Sequence, residues 1–122
     1  MPGVRFVSFV GPFESIDQLK RVAKEVRAVL GSAVVALGLD ADEPQVFVTV
    51  SDDLVGRGLS AGDLVRMAVT AIDGRGGGRP EMAQGKGSRR EGVGQAIAAI
   101  RAAIQGGGNG SGRGSPNQPR GD

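Results

Sequence analysis

Blocks of apolar residues recur along this chain, and their period changes from block to block. "VRFVSFV", Val4 to Val10, is β-branched and aromatic-rich, and apolar on both faces. That pattern predicts a buried strand, ended by "GP". The period then becomes helical. Leu19, Val22, Ala23, Val26, Val29 and Leu30 share one face of a helix, while Lys20, Lys24 and Arg27 line another. Ser15 is placed as its N-cap, with Gln18 at the capping-box position, and Gly31 is placed to stop it. "AVVALGL", Ala33 to Leu39, reads as a central strand. "DADEP" turns the chain into "QVFVTVS", Gln45 to Ser51, a third strand forming an antiparallel hairpin with the second. "DDLVGRG" reads as a loop. Ser60 caps a further helix, with Asp63 three residues on, and Ala61, Leu64, Val65, Ala68 and Ile72 are its buried stripe. A last helix, Glu91 to Gln105, buries Val93, Ile97, Ile100 and Ile104.

The order strand, helix, hairpin, helix, glycine-rich loop, helix predicts a small two-layer α/β domain. Its mixed sheet has three to five strands with helices packed on it, and the glycine-rich loop precedes the last helix. A fourth short strand fits "PEMAQG", with Met82 pointing inward. The domain is expected to occupy residues 1–105. Residues 106–122, "GGGNGSGRGSPNQPRGD", have no apolar residue and are expected to form a disordered tail. Its terminal "RGD" reads as chance within a glycine-arginine tail.

Charge changes the picture by its distribution. The 122 residues carry a net charge of only +2, so gross charge does not single out a nucleic-acid binder. Acids cluster at Asp40, Asp42, Glu43, Asp52 and Asp53. Bases cluster at Lys20, Arg21, Lys24 and Arg27, and again from Arg75 to Arg90. This predicts one basic and one acidic side, against the plainer reading of a mixed, solvated surface. Cysteine and histidine are both absent. Disulfides, Cys/His zinc sites and histidine-dependent nucleophilic catalysis are therefore excluded. No catalytic residue, metal site or cofactor is expected. "MPGVRFVSFVGPF" lacks a signal-peptide pattern, and no segment approaches the ~18 apolar residues of a membrane span. The expected setting is cytoplasmic, with no membrane partner.

The stretch "GRGGGRPEMAQGKG", Gly74 to Gly87, concentrates glycine and cations. It is not a phosphate-binding P-loop, because Pro80 stands where that motif's first glycine belongs and Gly87 follows Lys86. It is not a dinucleotide fingerprint either, because Arg79 replaces the third glycine. What remains is backbone chemistry. Gly76, Gly77 and Gly78 leave amides accessible for an anion-holding nest, flanked by Arg75 and Arg79, with Lys86 beyond. Arginine offers phosphate a planar donor fork. Composition leaves equally open a flexible basic linker.

The order of residues adds more. "SAGDLV" (Ser60 to Val65) and "GRGGGRPEMAQGKG" (Gly74 to Gly87) resemble the C-terminal, DHH-associated domain of alanyl-tRNA synthetases. Upstream, "VLGSAVVALGL" and "VFVTVSDDL" are similar to that domain's hairpin strands. The resemblance runs over about residues 4 to 105. It implies a module without chemistry of its own that grips the tRNA elbow and supports aminoacylation and editing by a parent alanine–tRNA ligase. The implied partners are alanine-specific tRNA and the rest of the synthetase. On this reading Gly76, Gly77 and Gly78 lie flat against the elbow's terminal base pair. Arg75, Arg79 and Lys86 neutralise phosphates, Gln84 donates to a base edge, and Lys20 and Lys24 extend the footprint. Phe6, Phe9, Phe13 and Phe47 are expected in the core rather than as a stacking platform. Two other readings stand. The same domain type serves as the substrate-binding half of DHH-family phosphoesterases, where histidine typically follows the triple glycine and Arg79 departs from the pattern. A purely structural role in assembly is the third.

Overall fold

The computed structural model describes residues 4–105, so the expectation of a disordered tail lies outside the described residues. In chain order the elements are β1 (Phe6–Gly11), α1 (Ile16–Leu30), β2 (Val34–Leu39), β3 (Gln45–Val50), α2 (Asp52–Gly56), α3 (Ala61–Ala68), β4 (Arg75–Gly78), β5 (Met82–Lys86) and α4 (Val93–Gln105). Single 3-10 turns, Val69–Ile72 and Arg90–Gly92, extend α3 and lead into α4. The strands form one mixed sheet in the order β1-β2-β3-β5-β4. β1 runs parallel to β2 through the α1 crossover, and the other neighbours are antiparallel. The expected small α/β domain with helices on a mixed sheet is what forms.

Strand alternation sorts the core into two halves. Val34, Ala36, Val46, Val48 and Val50 face α3 and α4, where they meet Leu64, Val65, Ala68, Ile97 and Ile100. Val35, Leu37, Leu39 and Phe47 face α1, against Leu19 and Ala23. The helices thus divide between both sheet faces, and α1 adds a partial layer to the two expected. Leu19 is fully buried, so truncating it to alanine removes roughly 2–5 kcal/mol. The caps form as the sequence predicts. Ser15 Oγ accepts from the Gln18 amide at 3.1 Å, and Gln18 Oε1 accepts from the Glu14 amide at 2.7 Å. Ser60 Oγ accepts from the Asp63 amide at 3.4 Å.

Several expectations are corrected. β1 is an edge strand, not a buried one, because it pairs with β2 alone. Phe9 is accordingly 57% exposed and meets Phe13 edge-on at 5.9 Å; of the four phenylalanines only Phe47 is fully buried. Val29 is 86% exposed, although its neighbours Val26 and Leu30 pack against the sheet. "DDLVGRG" contains the short helix α2, which buries Leu54. Met82, expected inward, lies exposed on β5. The glycine-rich loop is a hairpin.

Candidate nucleic-acid interface

Three glycines in succession form β4 because of what lies on either side of them. β4 pairs with β5 in the register Arg75↔Lys86, Gly76↔Gly85, Gly77↔Gln84 and Gly78↔Ala83. α3 packs closely over this hairpin. A Cβ on Gly76 would fall 2.4 Å from Gly85 Cα and 2.8 Å from Val65 Cγ1. On Gly85 it would fall 2.3 Å from Val69 Cγ1, and on Gly62 of α3 it would fall 2.6 Å from the Gly78 carbonyl oxygen. Contact at this range admits only glycine. Gly77 differs: its Cβ would meet only the Arg66 side chain, with Nη1 at 3.2 Å.

The turn is tied down by its carbonyls. The Arg79 amide donates to the Met82 carbonyl at 2.9 Å, closing the hairpin. The Arg79 and Pro80 carbonyls accept from the first amides of α3, Gly62 at 3.1 Å and Ala61 at 2.8 Å, and the Glu81 carbonyl accepts from the Val50 amide at 2.9 Å. The α3 N-terminus is therefore capped by the hairpin. The expected amide nest does not form. β4 is extended, and among its three glycines only Gly78 has positive φ, at 153°; successive amides of an extended strand point in opposite directions and cannot converge on one anion.

What the fold builds instead is a groove. α1 covers β2 and β3 and leaves the same face of β5 and β4 bare. Lys20 and Phe47 there line an open depression of about 390 Å³ together with Gly77, Gly78, Arg79, Glu81, Met82, Ala83 and Gln84. Phe47 is 1% exposed and forms an apolar floor. An adjoining depression of about 200 Å³ lies between Lys24 and Arg27 of α1 and Thr49, Asp52, Glu81 and Met82. Lys20, Lys24 and Arg27 recur at helical spacing, so one side of the groove is cationic. Arg79 reaches it from the turn, where its guanidinium lies 3.6 Å from the Glu81 carboxylate.

The residues expected to act together separate into groups. Lys20, Gly77, Gly78, Arg79 and Gln84 do share the first depression, and Lys24 stands in the second. Gly76 is turned toward α3. Arg75 and Lys86 are cross-strand neighbours at the other end of the hairpin, about 13 Å along the strand from Arg79. Lys86 is already engaged by Glu43 at 3.8 Å. Glu81 and Met82, not among the expected site residues, border both depressions; nothing in the local sequence signals this, because α1 approaches them only in the fold.

The predicted separation of charge does not hold. The acidic turn between β2 and β3 folds against the basic run. Arg90 Nε donates to Asp40 at 2.8 Å, and its Nη1 donates to Asp42 at 3.2 Å. Asp40 chiefly holds the Arg90 guanidinium even more firmly protonated than usual. Arg89 lies 3.8 Å from Glu91. Among the described residues Lys20 and Lys24 of the groove make no ion pair, nor does Arg75 at the hairpin's other end, whereas Arg79 in the groove pairs with Glu81. At the start of α2, hydrogen bonds from the Ser32 and then the Ser51 hydroxyl hold the Asp53 carboxyl below its ordinary range.

Residues 5–106 match the model of the DHHA1 domain. The chain belongs to the DHHA1 family. Its relatives include the alanine–tRNA ligase of Mesorhizobium japonicum, 45% identical over 106 residues that cover 84% of this chain and 12% of the ligase. The alanine–tRNA ligase of Bacillus subtilis is 39% identical over 88 residues, covering 71% of this chain and 10% of that one. This DHHA1 domain thus spans about a tenth of the length of the curated relatives it matches. Its fold is shared with the C-Ala domain of Aquifex aeolicus alanyl-tRNA synthetase, at a TM-score of 0.74 and 22% identity, covering 83% of this chain and 91% of that one. RecJ of Thermus thermophilus, solved with Mn2+, contains the same fold at a TM-score of 0.63 and 19% identity, over 85% of this chain and 14% of RecJ. No helix among the described residues is long and apolar enough to cross a membrane.

Proposed function

We propose that this DHHA1 domain is a tRNA-binding module of an alanine–tRNA ligase, holding the elbow of alanine-specific tRNA while the rest of the cytoplasmic synthetase aminoacylates and edits. The observation that carries this reading is the groove between α1 and the β4–β5 hairpin. It sets Lys20, Lys24 and Arg79 around a bare peptide surface at Gly77 and Gly78. Folded RNA is recognised by shape, stacking and backbone contacts, and this groove offers phosphate-binding cations beside a strand whose own residues Gly77 and Gly78 carry no side chain. The contact differs from the one expected of an amide nest: side-chain cations hold phosphates, and the glycine strand supplies a flat wall. Arg75, at the other end of the hairpin, adds a peripheral contact, and Gln84 offers its amide to a base or ribose. The kinship with alanine–tRNA ligases agrees in direction.

Titration with an alanine-tRNA transcript at several salt concentrations tests this. Neutralising three to five phosphates gives a log–log slope of about −2 to −4. Absence of binding at low salt, or binding indifferent to salt, would exclude an electrostatic grip.

A further inference from the structure

The groove contains one group that an anion-binding surface does not call for. Glu81 sits in the hairpin turn, its carbonyl fixed by the Val50 amide, and its residue borders both depressions. On one side of it are Lys20 and Arg79; on the other are Lys24 and Arg27. Asp52 also borders the second depression, and one Arg27 donor is committed to the Gly31 carbonyl at 3.1 Å. Among the described residues Lys24 is the cation there that makes neither a hydrogen bond nor an ion pair. Lys20 and Lys24 stand one helical turn apart, about 6 Å of rise, a separation suited to successive phosphates of one strand. A carboxylate between two phosphate positions repels phosphate and accepts hydrogen bonds only. What lies between two successive phosphates is a sugar. In RNA that sugar carries a 2′-hydroxyl, which can donate; in DNA it carries nothing at that position.

Resting on the tRNA reading above, we infer that Glu81 selects ribose: one phosphate sits at Lys20 and Arg79, the next at Lys24, and the intervening 2′-hydroxyl donates to the Glu81 carboxylate. The residue is a specificity determinant that costs affinity for any polyanion and recovers it only from RNA. Its ion pair with Arg79, 3.6 Å in the free domain, holds the carboxylate in the groove until the phosphate takes over the guanidinium.

The test is a cycle of two chains and two RNAs. The full chain and its Glu81→Ala variant are titrated at low salt with an alanine-tRNA transcript. The second RNA is the same transcript carrying 2′-deoxyribose through both elbow loops. Melting temperatures confirm that the variant, which keeps the Glu81 carbonyl, remains folded. The native chain is expected to bind the all-ribose transcript about tenfold more tightly, about 1.4 kcal/mol, and Glu81→Ala to bind both alike. If the variant keeps the discrimination, or gains equally for both RNAs, Glu81 only competes for Arg79 and the inference falls while the tRNA reading stands. It falls too if the native chain does not discriminate. If the native chain binds neither RNA, both fall.

Discussion

Toward α3, the β4–β5 hairpin has room for no side chain larger than the Ala83 methyl; toward the groove, at Gly77, it has room that no side chain of its own fills. Gly76 and Gly85 are glycine because Val65, Val69 and the facing backbone already occupy the space a Cβ would take. At Gly77 a Cβ would meet only the Arg66 side chain, whose guanidinium pairs with Asp63 on α3. Adjacent residues of one glycine run are thus held to the same identity by different requirements. The first is packing, a matter of stability. The second, on the function proposed above, is access, a matter of binding. Glycine content alone says nothing about which applies.

The comparison breaks first on stability. Gly76→Ala pushes a methyl into the Gly85 backbone, and overpacking of this kind is expected to cost about 2 kcal/mol, a fall in melting temperature on the order of 10 °C. Gly77→Ala should stay within about 0.5 kcal/mol of the native chain. Thermal unfolding followed by circular dichroism checks both, and equal losses would erase the distinction between the two positions.

Binding should sort the other way. Gly77→Val is expected to lower tRNA affinity with little change in melting temperature, because its branched side chain holds RNA off the strand. Arg79→Ala removes a charge-assisted phosphate contact, with an expected loss on the order of 1–2 kcal/mol. Titration of both variants against the transcript decides this; affinities equal to the native chain would mean that the groove is not the contact surface.

A finer contrast separates the two ends of the hairpin. Lys86 faces Glu43 across 3.8 Å, and both side chains are largely exposed. Lys86→Met should therefore change tRNA affinity less than about threefold, within the ~0–1 kcal/mol typical of an exposed pair. Lys20→Met, removing a cation without a carboxylate partner among the described residues, should cost more. The reverse ranking would move the interface to the Arg75 and Lys86 end.

Local patterns were readable wherever side chains carried a period or a cap. Ser15 and Ser60 mark helix starts by their own chemistry, and Leu64, Val65 and Ala68 mark a face by spacing. β4 was not readable as a strand. Glycine has no side chain to alternate and a poor strand propensity, so its extended state comes from pairing with β5 and from α3 pressing on it. Edge status was hidden for a related reason: Phe6, Val7 and Phe9 look like a central strand until the sheet order leaves β1 without a second neighbour. Of the site, the cations Lys20, Arg79 and Lys86 were recognisable singly. Their grouping was not, since it depends on where α1 crosses the sheet and on Glu43, which reaches Lys86 from a turn distant in sequence. The place of Glu81 beside α1 was invisible for the same cause.

Hairpin tips usually fray, and their amides exchange with solvent on the time scale of local opening. Here three consecutive carbonyls, those of Arg79, Pro80 and Glu81, accept from Gly62, Ala61 and Val50. The tip therefore cannot lift without uncapping α3 and releasing the end of β3. Opening is converted from a local event into a sub-global one. The amides of Ala61 and Gly62, which at an ordinary helix start would exchange freely, become slow reporters of a unit made of the hairpin and α3 together. The surface offered to a ligand is then held ready by the same bonds that make it reluctant to move.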